Sequence, residues 1–189
     1  MNIKCILVFF AGVLWFHSVG AQSKKEIKRN KIKSCKEAHT TLENGKEVTV
    51  VALFQRFDDN GNVTEEIDYD KEGKIKDHFT AVYDKNNDKT EEQNFDAEGK
   101  LKKKKMYKYN AKGDKTETIA MDPAGKILST TVFSYNANGD KVAEVEMDAA
   151  KNVMRKSFFV YDKKGMIIQE KTVDATGALV KETRYTYEY

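Results

Sequence analysis

Few side chains in this sequence have the types and spacing for chemistry. His39 and His78 are the only histidines beyond residue 21. Neither has a cysteine or second histidine at metal-ligand spacing. Nothing resembles a serine elbow or a Cys–His pair. His78 falls in a polar strand and reads as a solvated residue. "DDNGN" at 58–62 has the composition of a calcium loop. The closing Glu is absent, and a hairpin turn already accounts for Asp and Gly at those places. "KKKK" at 102–105 would suit phosphates if its ammonium groups lay together. On a strand they alternate between faces. No catalytic group, metal, cofactor or nucleic acid is expected, and the chain reads as a non-enzyme.

The remaining candidates are aromatic. Tyr83, Tyr109, Tyr135, Tyr161 and Tyr187 recur at a constant interval, and Tyr107, Phe133, Phe159 and Tyr185 stand two positions before the last four. Carried near one end of every second strand, such rings lie ~9–10 Å apart, twice the strand spacing. A ladder of this kind could stack on sugar rings, because each ring offers an apolar face and each tyrosine a polar tip. The same rings would also serve as the sheet's own core. Both readings stay open on the sequence.

The elements that carry the ladder announce themselves by repetition. A phrase of an aromatic or apolar residue, Asp or Asn, two loose residues, Gly and soon an apolar residue starts at Phe57, Tyr69, Tyr83, Phe95, Tyr109, Met121, Tyr135, Met147, Tyr161 and Val173. A truncated copy starts at Tyr187, and the steps alternate strictly between a shorter and a longer spacing. The true unit is therefore a pair of phrases, as from Phe57 to Tyr83, and such self-similarity is the signature of a repeat fold. Each phrase predicts a type I turn closed by a left-handed residue, with Asp or Asn accepting backbone amides. Asn87 and Lys151 take the glycine slot in two copies. The Lys151 turn is expected to be strained or of another type.

Between turns the residues alternate as strands do, as in "DKVAEVEM" at 140–147. "LENGK" at 42–46 adds one earlier hairpin. The expected fold is all-β: a continuous antiparallel meander of about twelve short strands. Its turn geometry places Met121 opposite Ile127, Met147 opposite Val153, Tyr109 opposite Lys115 and Tyr135 opposite Lys141. The alternation of short and long steps implies one residue of shear per strand, so the sheet is expected to coil as a spiral or a barrel. Parity puts Phe133 and Tyr135 on one face with Ile119, Met121, Ile127, Val145 and Met147, and Thr116, Thr118, Glu144 and Glu146 on the other.

The first residues read as a signal peptide over 1–21: Lys4, an apolar run from Ile6 to Phe16, and Val19 and Ala21 before a cleavage at Gln22. That run is shorter than the roughly 20 residues of a membrane span. Of 33 basic residues only Lys4 lies in this stretch, leaving 32 (33 − 1) against 30 acidic ones. This balance favours neither nucleic acid nor a polybasic membrane contact. Cys35 is the one cysteine beyond the leader, so no internal disulfide can form, and it reads as a small strand side chain. Residues 22–31 form a basic lead expected to be solvated and frayed, and 32–189 the repeat domain.

At "YKYNAKG" (107–113), "FSYNANG" (133–139) and "FVYDKKG" (159–165) the chain resembles the YD-repeat family, also called RHS repeats. The resemblance covers about 57–189. It implies a secreted or surface bacterial protein with coiled β-sheet repeats, a family in which some members have been labelled carbohydrate-binding. The repeats here are too few to enclose a cargo domain. The function expected is a non-enzymatic module, secreted, periplasmic or at the cell surface, that binds a glycan or a protein there. A structural spacer without a ligand is the alternative, with a hydrolase behind it.

Overall fold

The computed structural model describes residues 23–188. The signal peptide expected over 1–21 lies outside the described residues. Twelve antiparallel strands form one sheet, hydrogen-bonded in sequence order. They are β1 (Ser34–Glu43), β2 (Lys46–Phe57), β3 (Val63–Tyr69), β4 (Ile75–Tyr83), β5 (Lys89–Phe95), β6 (Leu101–Tyr109), β7 (Lys115–Met121), β8 (Ile127–Tyr135), β9 (Lys141–Asp148), β10 (Val153–Tyr161), β11 (Ile167–Asp174) and β12 (Leu179–Arg184). β1 and β12 are the two edges of this order, so the sheet does not close into a barrel. The chain divides into two compact units, one up to Lys102 and one from Lys103.

The turns are built as their residues require. At Asp148 the backbone amide donates to the Asn152 carbonyl at 2.9 Å, and the Lys151 amide donates back to the Asp148 carbonyl at 3.0 Å. The Asp148 carboxylate accepts the amides of Ala150 and Asn152 at 2.8 and 2.9 Å. The Asp162 and Asp174 turns repeat this pattern with Gly165 and Gly177 in the left-handed slot. Lys151 adopts that conformation too, at φ 66°. This turn is therefore of the same type as its neighbours, with the strain expected of a side chain at positive φ.

The expected register holds: Met121 pairs with Ile127, Met147 with Val153, Tyr109 with Lys115 and Tyr135 with Lys141. A β-bulge follows each repeat turn whose register is described. Tyr135 faces Lys141 but Ser134 faces Ala143, which leaves Val142 without an opposite residue. Thr64, Thr90 and Thr116 hold the corresponding positions elsewhere, and their hydroxyls donate to the carbonyls of Arg56, Val82 and Lys108 at 3.4, 3.3 and 3.2 Å. A threonine thus satisfies a backbone acceptor beside the disrupted ladder.

The extra residue inverts parity across the hairpin, and this corrects the face assignment. Phe133 faces Glu144, and Thr131 faces Glu146, so the aromatic rings share their face with the Thr, Glu and Lys side chains. Ile119, Met121, Ile127, Val145 and Met147 lie on the opposite face. The stagger itself is as the spacing implies. Glu144 meets Ser157, which meets Thr172, whereas the residue one repeat on from Glu144 is Glu170. The cross-strand partner has thus moved two positions along over two strands, one per strand.

The basic lead is ordered, in contrast to the frayed segment expected. α1 (Lys24–Arg29) starts from a capping box in which Ser23 and Glu26 satisfy each other's backbone amides. Ile27 is buried, and Lys28 donates to the Asn60 side chain at 3.1 Å. The helix presses on the β2–β3 turn, where a Cβ on Gly61 would stand 2.7 Å from the Lys24 carbonyl. Beside it a cleft is lined by Ile27, Lys31, Ile32 and Asp58. The S-x-x-E spacing at 23–26 is the sequence signal for this helix.

Candidate functional site

The tyrosines act as staples. Tyr135 donates to the Lys115 carbonyl at 2.8 Å, Tyr161 to Lys141 at 2.7 Å and Tyr187 to Ile167 at 2.7 Å. In the first unit Tyr83 donates to the Val63 carbonyl at 3.1 Å. Each bond reaches back to the first residue of β3, β7, β9 or β11. There the bulge interrupts the ladder, and an unpaired acceptor would be costly. The stagger of one residue per strand brings each ring level with that carbonyl. These four tyrosines are half-buried, as are Tyr107, Tyr109, Phe133 and Phe159, whereas Tyr185 is exposed. Burial raises the Tyr135 hydroxyl pKa, with the charges of Asp114 and Glu144 adding to it; burial and Asp140 do the same to Tyr161.

Lysines sit between the rings. Lys115 Nζ lies 5.5 Å from the Tyr107 ring centre and 4.7 Å from that of Phe133. Lys141 Nζ lies 5.8 Å from Phe133 and 4.3 Å from Phe159, and it pairs with Glu144. Each ammonium is attracted to the ring faces it covers, by roughly 0.5–1 kcal/mol at such half-exposed sites. The ring faces best suited to a sugar thus already carry a cation. The structure brings the predicted aromatics of the second unit together as a ladder and adds Lys115 and Lys141. The register set these lysines opposite tyrosines; their lodging between rings follows from the stagger.

The opposite face of the second unit is the one sequence parity obscured. Met106, Ile127, Val132, Phe158, Val160 and Leu179 lie on it and are between 37% and 57% exposed. One cross-strand row reads Lys108, Glu117, Val132, Val145, Lys156, Val173 and Leu179; another reads Met106, Ile119, Thr130, Met147 and Val153. Lys108 pairs with Glu117 at 2.5 Å, and Arg184 with Glu182 at 2.6 Å. Lys156 stands between Val145 and Val173, with no carboxylate partner among the described residues.

His78 also departs from its solvated reading. It bonds Glu65 at 3.1 Å and stacks on Phe95 with ring centres 4.8 Å apart. Arg56 holds the same Glu65 at 2.6 Å. Cys35 is exposed on β1 and faces Gln55. Among the described residues no three His, Cys, Asp or Glu side chains gather to hold a metal. No described helix is long and apolar enough to cross a membrane.

No family model matches the chain, and no curated protein matches it. Solved structures do. A porin-like protein from Bacteroides uniformis aligns at 15% identity and TM-score 0.43, over 75% of this chain and 56% of that one. The chain thus spans little over half the length of that protein. A Tc holotoxin pore from Photorhabdus luminescens aligns at 11% identity and TM-score 0.30, over 80% of this chain and 11% of that one. A protein of unknown function from Bacteroides fragilis aligns at 14% identity and TM-score 0.22, over 83% of this chain and 96% of that one.

Proposed function

We propose that this chain is a non-enzymatic repeat module of the YD-repeat kind, exported to the periplasm or cell surface, that works by binding a macromolecule there. Its binding surface is the apolar face of β6–β12, and the tyrosine ladder is structural. The observation that carries this reading is the exposure of Met106, Ile127, Val132, Phe158, Val160 and Leu179 on one face. Together they leave on the order of 500 Å² of apolar surface in water, spread across β6–β12 with Glu117, Lys156 and Lys171 between them. Its apolar rows and paired charges, Lys108–Glu117 and Glu182–Arg184, suit a protein better than a glycan.

The ladder favours a second reading, a spacer. Its hydroxyls and ring faces are engaged within the sheet, leaving it little to offer a sugar. Adjacent residues on opposite faces separate the possibilities. A photo-crosslinking p-benzoylphenylalanine is placed at Val132 or at Phe133 in cells that export the protein. The binding reading expects a crosslinked protein product from position 132 and none from 133. Products from 133 alone would make the ladder the contact surface, and no product from either would leave the spacer.

A further inference from the structure

Resting on the reading that the apolar face is the binding face, we infer that its partner is a second copy of this chain, packed face to face about a twofold axis. The order of side chains along the rows points to it. Glu117, Val132, Val145 and Lys156 occupy β7, β8, β9 and β10 at one level. A twofold axis running parallel to the strands, between β8 and β9, sets Glu117 over Lys156 of the second copy and Val132 over its Val145. At the next level Ile119, Thr130, Met147 and Val153 occupy the same four strands. The same axis sets Ile119 over Val153 and Thr130 over Met147. Over these four strands both rows are self-complementary about one line, while Lys108, the β6 neighbour of Glu117, falls over Val173 of the second copy.

This arrangement brings Lys156 against Glu117 of the second copy, a carboxylate it would share with Lys108 of that copy. The cost of covering a lone ammonium among valines is what an opposed carboxylate offsets. Two sheets whose strands run nearly parallel, with side chains interleaved about 10 Å apart, are the ordinary aligned packing of a β-sandwich. The pairing is isologous and closes at two copies. Covering the exposed patch and the flanking parts of both rows approaches the roughly 800 Å² per partner of a stable interface. A sheet with one apolar face needs a second layer, and a second copy supplies it.

The test is charge reversal read by sedimentation equilibrium on the exported chain, with circular dichroism confirming the fold of each variant. The wild type should be a dimer at micromolar concentration. Glu117→Lys and Lys156→Glu should each weaken it about tenfold or more. Glu117→Lys combined with Lys156→Glu should restore it. A reversal variant that misfolds is replaced by Glu117→Gln or Lys156→Gln, which should weaken the dimer in the same direction. A monomeric wild type overturns the inference, as does a dimer indifferent to reversal or one the double variant fails to rescue. A monomer whose position 132 still crosslinks a foreign protein in cells would overturn the dimer and leave the binding reading intact. A monomer with no crosslink would sink both.

Discussion

The Tyr135 hydroxyl donates to the backbone carbonyl of Lys115 at 2.8 Å, and the same reach recurs from Tyr161 to Lys141 and from Tyr187 to Ile167. A bond repeated at this spacing ties alternate hairpins, those that open at Tyr135 and Tyr161, to the strand before them. It makes the ladder part of the sheet's own backbone hydrogen bonding.

Replacing Tyr135 and Tyr161 by phenylalanine keeps the rings and removes two of these bonds. Each loss should cost about 1 kcal/mol of unfolding free energy, read from urea denaturation. The alkaline limb gives an independent check. Both hydroxyls have folded pKa values raised above the ordinary 10.0. Their contribution is fully present below pH 10 and lost as pH rises through the folded values. The double phenylalanine variant should therefore lose less stability above pH 10 than the parent.

The left-handed turn slot makes opposite predictions at two positions. Gly113 has φ 87°, and a Cβ there meets open space, so Gly113→Val costs only backbone strain, about 1–2 kcal/mol. Lys151 already bears such strain, and Lys151→Gly should stabilise by about 0.5–1 kcal/mol. Thermal melting should move down for the first and up for the second.

The repeat, strand count and turn registers are legible in the sequence because Asp, Gly and an alternating strand are local chemistry. Tyr109 opposite Lys115 follows from turn length alone. The faces are not legible, since the bulge at Val142, Met154 or Ile168 is a property of the backbone and leaves no fixed residue type. Thr64, Thr90 and Thr116 are the partial exception, three threonines at one repeat position. Without the bulge, parity gives Phe133 the wrong neighbours and hides the apolar face. The docking of α1 on Gly61 joins segments far apart in the chain, beyond what the capping box at Ser23 can tell.

Acid should loosen the turns in a way that asparagine prevents. The Asp148 pKa is lowered by its bonds from Asn152, and that of Asp174 by bonds from Thr176. Their stabilisation is present above the ordinary 3.8 and lost as pH falls through the lower folded values. Asn110 already fills this role, accepting the amides of Lys112 and Asp114 at 2.9 and 3.0 Å. Asp148→Asn with Asp174→Asn should keep the turns and flatten the fall in melting temperature as the solution is acidified through that range.

On the reading proposed above, the aromatic ladder holds the sheet and is not a ligand platform. Thermal unfolding of Tyr135→Ala combined with Tyr161→Ala tests it most directly. Each change removes a half-buried ring and a backbone bond, a loss of about 2–3 kcal/mol apiece, against a total domain stability of about 5–15 kcal/mol. Cooperative melting should collapse, or its midpoint fall by more than about 10 °C. A variant that melts as the parent does, while losing binding to a polysaccharide the parent retains, would contradict it.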